Sequence, residues 1–493
     1  MFKITVLPDN KKILAKGGEN LAEVLSKAGY DVLAFCGGMG SCGKCKVKLI
    51  SGNFNRATKN ANDEILSCKA EVCSDAVIFF EKISGSGLIE FNDLNLTASG
   101  NGLGVALDIG TTTLAFALVN LKTGKVLKKL SCLNPQSVYG ADVLSRILAC
   151  KNGNLEHLHK LIIEKTDEVI NTLANGESIQ SLTVSANTTM LHIFAGVSPE
   201  SMGVAPFTPK FLQTQIFSGE QLGLPVKNVT LLPSASAYVG ADVVAGVNYC
   251  ELQKNKVGLL IDIGTNGEIV LAKEGNLYAV STAAGPALEG ACIECGTGGI
   301  LGAIDKVFIQ NEKLNFTTVN NQNPVGICGS GIIDAIALML KEGVIDESGR
   351  FAEDYRGALC DKIKDDAFYI TQNVYISQKD VRQFQLAKSA IRAGLETLLK
   401  ACNICFSEVE SLFVSGGIGF YMNADNASIA GLIPKELVKK VKILGNSALA
   451  GALLCAVDNT ALKRVETLSE RIQIIDLATD KNFTSLFAEY MLF

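Results

Sequence analysis

Two segments of this chain align with one another without a gap: GVALDIGTTTLAFALVNLKTGKVL from Gly104 and GLLIDIGTNGEIVLAKEGNLYAVS from Gly258. In each, an apolar strand runs into Asp-Ile-Gly-Thr, resumes as a second apolar strand and turns at a glycine. Asp108 thereby pairs with Asp262, Gly110 with Gly264 and Thr111 with Thr265. A hairpin repeated in register predicts two related halves that face each other as a clamp. The chemistry follows from the residue types. Glycine after a buried strand lets backbone amides approach a phosphate, and threonine adds hydroxyl donors, so Gly110, Thr111, Thr112, Thr113, Gly264, Thr265 and Asn266 are candidate phosphate contacts. The aspartate beside each turn suits Mg²⁺ or the orientation of an attacking water.

With 493 residues the chain exceeds what one core organises, so two or three domains are expected, and 48% apolar residues supply their interiors. A net charge of -5 and no basic run interleaved with aromatics exclude a nucleic-acid partner. The start MFKITVLPDN lacks the basic and apolar regions of a signal peptide, and no apolar run reaches the roughly 18 residues of a membrane span, so a cytoplasmic protein without a membrane partner is expected. Fifteen cysteines in a reducing compartment serve metals or packing rather than disulfides.

Three of them crowd into CGGMGSCGKC. Cys36, Cys42 and Cys45 have the spacing C-x5-C-x2-C, and 22 residues separate Cys45 from Cys68. A tight triplet with a distant fourth thiolate suits a [2Fe-2S] cluster, and the glycines allow the loop the positive φ it needs to wrap inorganic sulfide. Zinc is the competing metal, although zinc sites favour two separated C-x2-C knuckles. Around the loop, FKITVLP, KKILA, KCKVKLI, EILSCKAEV and DAVIFF read as short strands. The stretch NLAEVLSKAG reads as one helix, capped by Asn20 and stopped by Gly29, in a compact α+β domain. The Gly/Ser/Asn-rich stretch that follows predicts a flexible tether of about 25 Å root-mean-square span. The resulting layout is 1–82 for the cysteine domain, 83–103 for the linker, 104–257 and 258–465 for the two lobes, and 466–493 for a C-terminal tail.

The cysteine segment resembles [2Fe-2S] ferredoxin domains of the β-grasp fold, with the five-residue first spacing of the vertebrate-mitochondrial and bacterial branch. In that resemblance Cys68 is the fourth ligand. Cys73, separated from Cys45 by 27 residues, is the alternative, because the gap to Cys68 is shorter than those families usually show. From Gly104 to about Val457 the chain resembles the acetate and sugar kinase, heat-shock chaperone and actin superfamily, which implies a two-lobed α/β actin-like ATPase domain with a duplicated core. SASAYVGADVVAGV and GNSALAGALL are similar to its connecting helices, where small residues let two helices cross closely. FVSGGIGF is similar to its adenosine loop, with Gly416, Gly417 and Gly419 making room for the nucleoside.

Two further C-x2-C pairs stand apart. Cys402 and Cys405 fall on the helical run AIRAGLETLLKACNICF and are expected to pack in a core, whereas Cys292 and Cys295 lie near the presumed cleft and remain open to packing, metal or redox roles. His157, His159 and His192 are too dispersed to build a site.

The domain order, with NPQSVYGADVLSRI, SANTTMLH, GPALEGA, GICGSGIIDAI and SQKDVRQFQLAKSAI, resembles the reductive activators of corrinoid proteins. That resemblance implies ATP-dependent one-electron reduction of an inactive cob(II) centre to cob(I) in a methyl-transferring partner. It also implies a homodimer, an upstream electron donor and an anaerobic host. It assigns Asp108 to Mg²⁺ and Asp262 to positioning water as the catalytic pair. Two alternatives stay open: an ATP-driven electron injector of the 2-hydroxyacyl-CoA dehydratase activator type, and a small-molecule kinase with a redox-sensing ferredoxin domain.

Overall fold

The computed structural model describes residues 1–493 except 31, 33–37, 41, 81–90, 92–97, 99, 141 and 418–420. The N-terminal strands are β1 (Phe2–Leu7), β2 (Lys11–Ala15), β3 (Lys46–Ser51), β4 (Phe54–Asn55), β5 (Glu64–Leu66), β6 (Glu71–Val72) and β7 (Ala76–Phe79). Five of them form the sheet β2-β1-β7-β3-β5, in which β1 and β7 pair in parallel. Alternation decides which face is buried: Ile4 and Val6 of β1 point inward, against Leu21, Val24 and Leu25 of the helix Leu21–Lys27. Asn20 caps that helix by accepting from Ala22 N and Glu23 N, and Gly29 at φ +84° follows its end. This is the expected α+β β-grasp ferredoxin domain.

The first lobe contains β8 (Leu103–Ile109), β9 (Thr113–Asn120), β10 (Val126–Leu133), β11 (Ile179–Ala186), β12 (Gln215–Ser218) and β13 (Val226–Leu231), ordered β10-β9-β8-β11-β13-β12. The second opens with β14 (Val257–Ile263), β15 (Gly267–Lys273) and β16 (Asn276–Thr282). Two small sheets interrupt it: β17 (Ala303–Gln310), β18 (Lys313–Thr318) and β19 (Gly326–Ile327), then β20 (Ile363–Lys364), β21 (Ala367–Tyr369) and β22 (Tyr375–Ser377). It resumes with β23 (Ser411–Ser415), β24 (Val441–Gly445) and β25 (Ile472–Ile474), in the order β24-β23-β14-β15-β16-β25. The run β10-β9-β8-β11-β13 therefore repeats as β16-β15-β14-β23-β24, so the duplication seen in one hairpin extends to five strands per lobe.

The helices Ala241–Tyr249 and Ser447–Val457 cross between the lobes. Their approach depends on glycine: a Cβ on Gly451 would stand 2.3 Å from Ala245 O, and one on Gly246 would stand 2.6 Å from Ser447 Oγ.

Three expectations change. Residues 466–493 are built into lobe II rather than set apart: β25 adds to β16 in parallel, Gln385 Nε2 donates to Met491 O at 2.6 Å and Phe493 N to Glu347 O at 2.8 Å. The helix Gln378–Ala401 stops before the second cysteine pair because Asn403 takes φ +51°, which leaves Cys402 buried and Cys405 exposed. The linker is pinned at Phe91, which bridges to Gly445 and carries Lys129 Nζ 3.8 Å over its ring; most other linker residues lie outside the described set.

The ferredoxin domain lies on the ATPase lobes. Ser137 Oγ donates to Val32 O at 3.3 Å, and Lys44 Nζ donates to Glu294 O and Gly296 O, both at 2.9 Å.

Candidate functional site: a nucleotide cleft and a cysteine loop

The turns of both hairpins open into one cleft between the lobes. Asp108, Gly110 and Thr111 line it from lobe I, Asp262, Gly264, Thr265 and Asn266 from lobe II, and Gly416 and Gly417 from the loop after β23. Nine of the twelve residues expected in the nucleotide site thus meet around one space. Thr112 joins them indirectly, donating to Glu289 Oε2 at 3.2 Å. Thr113 does not line the cleft; its carbonyl accepts from Gly110 N at 3.0 Å and closes the turn. Gly419 lies outside the described residues. Gly416 has φ +102°, and a Cβ there would lie 2.2 Å from Ile263 O, so only glycine carries the chain past the second phosphate turn.

The hairpin tips touch across the cleft, with Thr111 Oγ1 and Thr265 Oγ1 2.9 Å apart. Lobe I's turn is braced from behind: Asn134 Nδ2 donates to Gly110 O at 2.8 Å, and the buried Arg146 donates through Nη2 to Thr111 O. Lobe II's turn rests on Glu289, whose Oε2 accepts from Thr265 Oγ1 at 2.7 Å. Asn446 Nδ2 donates to Asp108 Oδ2 at 2.8 Å, tying the lobe I aspartate to the second connecting helix.

Three further acids line the same space: Asp242, Glu268 and Glu289. Burial pushes Asp108 up to about 8, Asp242 to about 7 and Asp262 to about 6, and raises Glu268 and Glu289 as well, with neighbouring carboxylates adding to the rise at all of them but Asp262. A bound cation would offset the charge these desolvated acids take on when they ionise. Asp242 and Glu289 lie inside segments already singled out, SASAYVGADVVAGV and GPALEGA, but adjacency to the cleft comes from the fold and not from local spacing.

In the N-terminal domain, Cys45 and Cys68 are buried side by side. The Cys68 side chain is the main cause that lowers the Cys45 thiol to about 6. Asn20 Nδ2 holds the Cys68 carbonyl at 2.8 Å, and Ser67 Oγ the Cys45 carbonyl at 2.8 Å. Cys42 is half-buried in the same loop, and Cys36 lies outside the described residues. Cys73 turns elsewhere, its Sγ 3.3 Å from Asn53 O. Glycines 38, 40 and 43 all take positive φ, as a loop wrapping a cluster demands. Among the described residues no helix is long and apolar enough to cross a membrane.

Comparison with known proteins agrees with this geometry. Residues 4–73 match the 2Fe-2S iron-sulfur cluster binding domain, 103–255 the RACo middle region, and 256–493 the C-terminal domain of RACo, the ASKHA domain. The corrinoid activation enzyme RamQ of Eubacterium limosum is 34% identical over 82% of this chain and 72% of its own. The [Co(II) methylated amine-specific corrinoid protein] reductase of Methanosarcina barkeri is 25% identical over 78% of this chain and 76% of its own. A solved structure, the reductive activator for corrinoid, iron-sulfur protein, superimposes with a TM-score of 0.74 at 26% identity, covering 100% of this chain and 98% of that one. The chain belongs to the family of corrinoid-protein reductive activators, with a 2Fe-2S ferredoxin domain joined to a nucleotide-binding ASKHA domain.

Proposed function

We propose that this protein uses ATP to deliver one electron to a corrinoid protein, returning an inactive cob(II) centre to cob(I) within a methyl-transfer system. The observation that carries this reading is the presence in one chain of a buried thiol pair and an acidic two-lobed cleft, with the cysteine loop resting on the ATPase domain.

Cys36, Cys42, Cys45 and Cys68 are the residues that would hold the [2Fe-2S] cluster, which supplies one electron at low potential when bound. The fit lies in the adjacency and burial of Cys45 and Cys68 and in the Cys45 thiol poised toward thiolate. In the cleft, the amides and hydroxyls of Gly110, Thr111, Thr112, Gly264, Thr265 and Asn266 hold the phosphates, Thr113 serves only to close the lobe I turn through its carbonyl, and Gly416, Gly417 and Gly419 clear the adenosine. Asp108 is the residue that would hold Mg²⁺, which when bound would offset the charge of the phosphates and the buried carboxylates, and Asp262 orients the attacking water. Because the two hairpins come from different lobes, gripping one nucleotide closes the lobes, and loss of its terminal phosphate lets them part.

The same reading makes residues 83–103 a tether between the domain at 1–82 and the lobes at 104–257 and 258–493, the last including the chain's end. It places the protein in the cytoplasm as a homodimer charged by an upstream electron donor. Asp262→Asn should lower ATP-dependent cob(I) formation by about 100-fold or more while leaving the visible spectrum of the cluster intact. Retained activation refutes the assignment.

A further inference from the structure

Lys44 stands between two of the cluster cysteines, Cys42 and Cys45, and its side chain leaves the ferredoxin domain. Its ammonium is received by two backbone carbonyls of the ATPase domain, Glu294 O and Gly296 O, each at 2.9 Å. Those carbonyls are fixed in place. Glu294 N donates to Asp380 Oδ1 at 2.8 Å, the Glu294 carboxylate accepts from Tyr375 OH at 3.0 Å, and Ile327 clamps both sides of Gly296 through Cys295 O and Thr297 N, each at 2.9 Å. A long, entropically costly side chain is thus held in a rigid receptor beside the cluster loop, which is how a specific docking contact is built rather than an incidental one.

The receptor is also mechanically joined to the nucleotide cleft. Glu289 sits at the cleft, holding Thr112 of lobe I and Thr265 of lobe II. The next residue, Gly290, takes φ +79° and packs so tightly against the receptor that a Cβ on it would lie 2.5 Å from Thr297 N, and one on Gly296 would lie 2.2 Å from Gly290 O. With no slack between Gly290 and Gly296, a shift of Glu289 moves the carbonyls under Lys44. Phosphates entering between the two hairpin tips compete with the Glu289 carboxylate for the same threonine hydroxyls and repel its charge.

We propose that Lys44 is a positioning residue that parks the cluster loop on the ATPase domain, and that the Glu289–Gly296 segment releases it when a nucleoside triphosphate fills the cleft. This rests on the function proposed above, because it needs the cluster at the cysteine loop and the nucleotide at the hairpins. Release frees the ferredoxin domain to carry its electron to a partner only in the nucleotide-bound state.

The test is hydrogen exchange with mass spectrometry on the full, anaerobically purified chain, with and without Mg²⁺ and the non-hydrolysable analogue AMPPNP. Wild type should show amides of 42–46 and 292–297 exchanging about tenfold faster with AMPPNP, with a larger radius of gyration by X-ray scattering. Lys44→Met should exchange fast at 42–46 without nucleotide and gain nothing on its addition. Lys44→Arg, which keeps charge and reach, should restore the nucleotide response. The visible spectrum of each variant checks the cluster, and a thermal shift with AMPPNP checks the cleft. Unchanged exchange and radius in a wild-type protein that carries its cluster and binds AMPPNP overturns the release mechanism while leaving the proposed function standing. A missing cluster or missing nucleotide binding overturns both.

Discussion

The two Asp-Ile-Gly-Thr turns are near copies in sequence and opposites in support. Lobe I's turn is bolted from behind by Asn134 and the buried guanidinium of Arg146, whose donors also reach Gly140 O at 3.2 Å and Gln136 Oε1 at 3.3 Å. Lobe II's turn leans on one carboxylate, Glu289, which belongs to a single turn of 3-10 helix between glycines at positive φ, Gly285 and Gly290. Under the proposed function the duplication supplies two phosphate grips, and the divergence of their backing makes one a fixed jaw and the other a sensor. The asymmetry extends to the acids: Asp108 accepts from Asn446 and sits at about 8, whereas Asp262 sits at about 6.

The largest expected effect breaks the fixed jaw. Arg146→Met leaves buried acceptors on Thr111, Gln136 and Gly140 without a donor and should cost about 3 kcal/mol or more, read as a fall in the urea midpoint at unchanged slope. On the sensor side Glu289→Gln keeps an acceptor for Thr112 and Thr265 and removes a buried charge, so its stability should stay within about 1 kcal/mol of wild type. Equal losses in the two variants would erase the distinction between the jaws.

Next comes the hinge. Gly451→Ala drives a methyl into the backbone of Ala245 and should cost about 1–3 kcal/mol, while Gly246→Ala meets only the movable Ser447 hydroxyl and should cost less. Differential scanning of the two variants gives the order directly.

The smallest effect is a pH dependence. The cleft carboxylates titrate higher in the folded protein than in the unfolded chain, so between about pH 4 and pH 8 the folded state binds more protons. Stability of the metal-free, nucleotide-free protein should therefore fall as pH rises through the values near 6, 7 and 8 of Asp262, Asp242 and Asp108. Mg²⁺ with AMPPNP removes that penalty, so the thermal shift it produces should be larger at pH 8 than at pH 6. A shift independent of pH contradicts the carboxylate reading.

Much of this was legible in the chain. Buried strands ending in Asp-Ile-Gly-Thr announce themselves locally, and their repetition gave the lobes; small residues in Ala241–Tyr249 and Ser447–Val457 announced the crossing helices. What stayed hidden depends on contacts between distant positions. Arg146 is a polar residue on the short helix Val143–Ala149 with no local sign that it is buried, and Lys44 meets Glu294 across 250 residues. Glu289 lies on a single turn of 3-10 helix, too short for periodicity to reveal which way it faces. Nothing in LLKACNICF marks Asn403 as the residue that leaves the helical region, so the helical pattern runs on past Ala401, where the helix ends. The end of the chain carries no motif, yet it supplies the sixth strand of the main sheet of lobe II.

In the proposed function, nucleotide governs the discharge of an electron held by the ferredoxin domain. That control is tested most directly by mixing the anaerobically purified protein, its cluster reduced beforehand, with a cob(II) corrinoid protein from the same host and following cob(I) absorbance. The account predicts cob(I) when Mg²⁺ and ATP are added and almost none in their absence. Equal cob(I) formation with and without ATP, from protein whose cluster spectrum is intact, contradicts it.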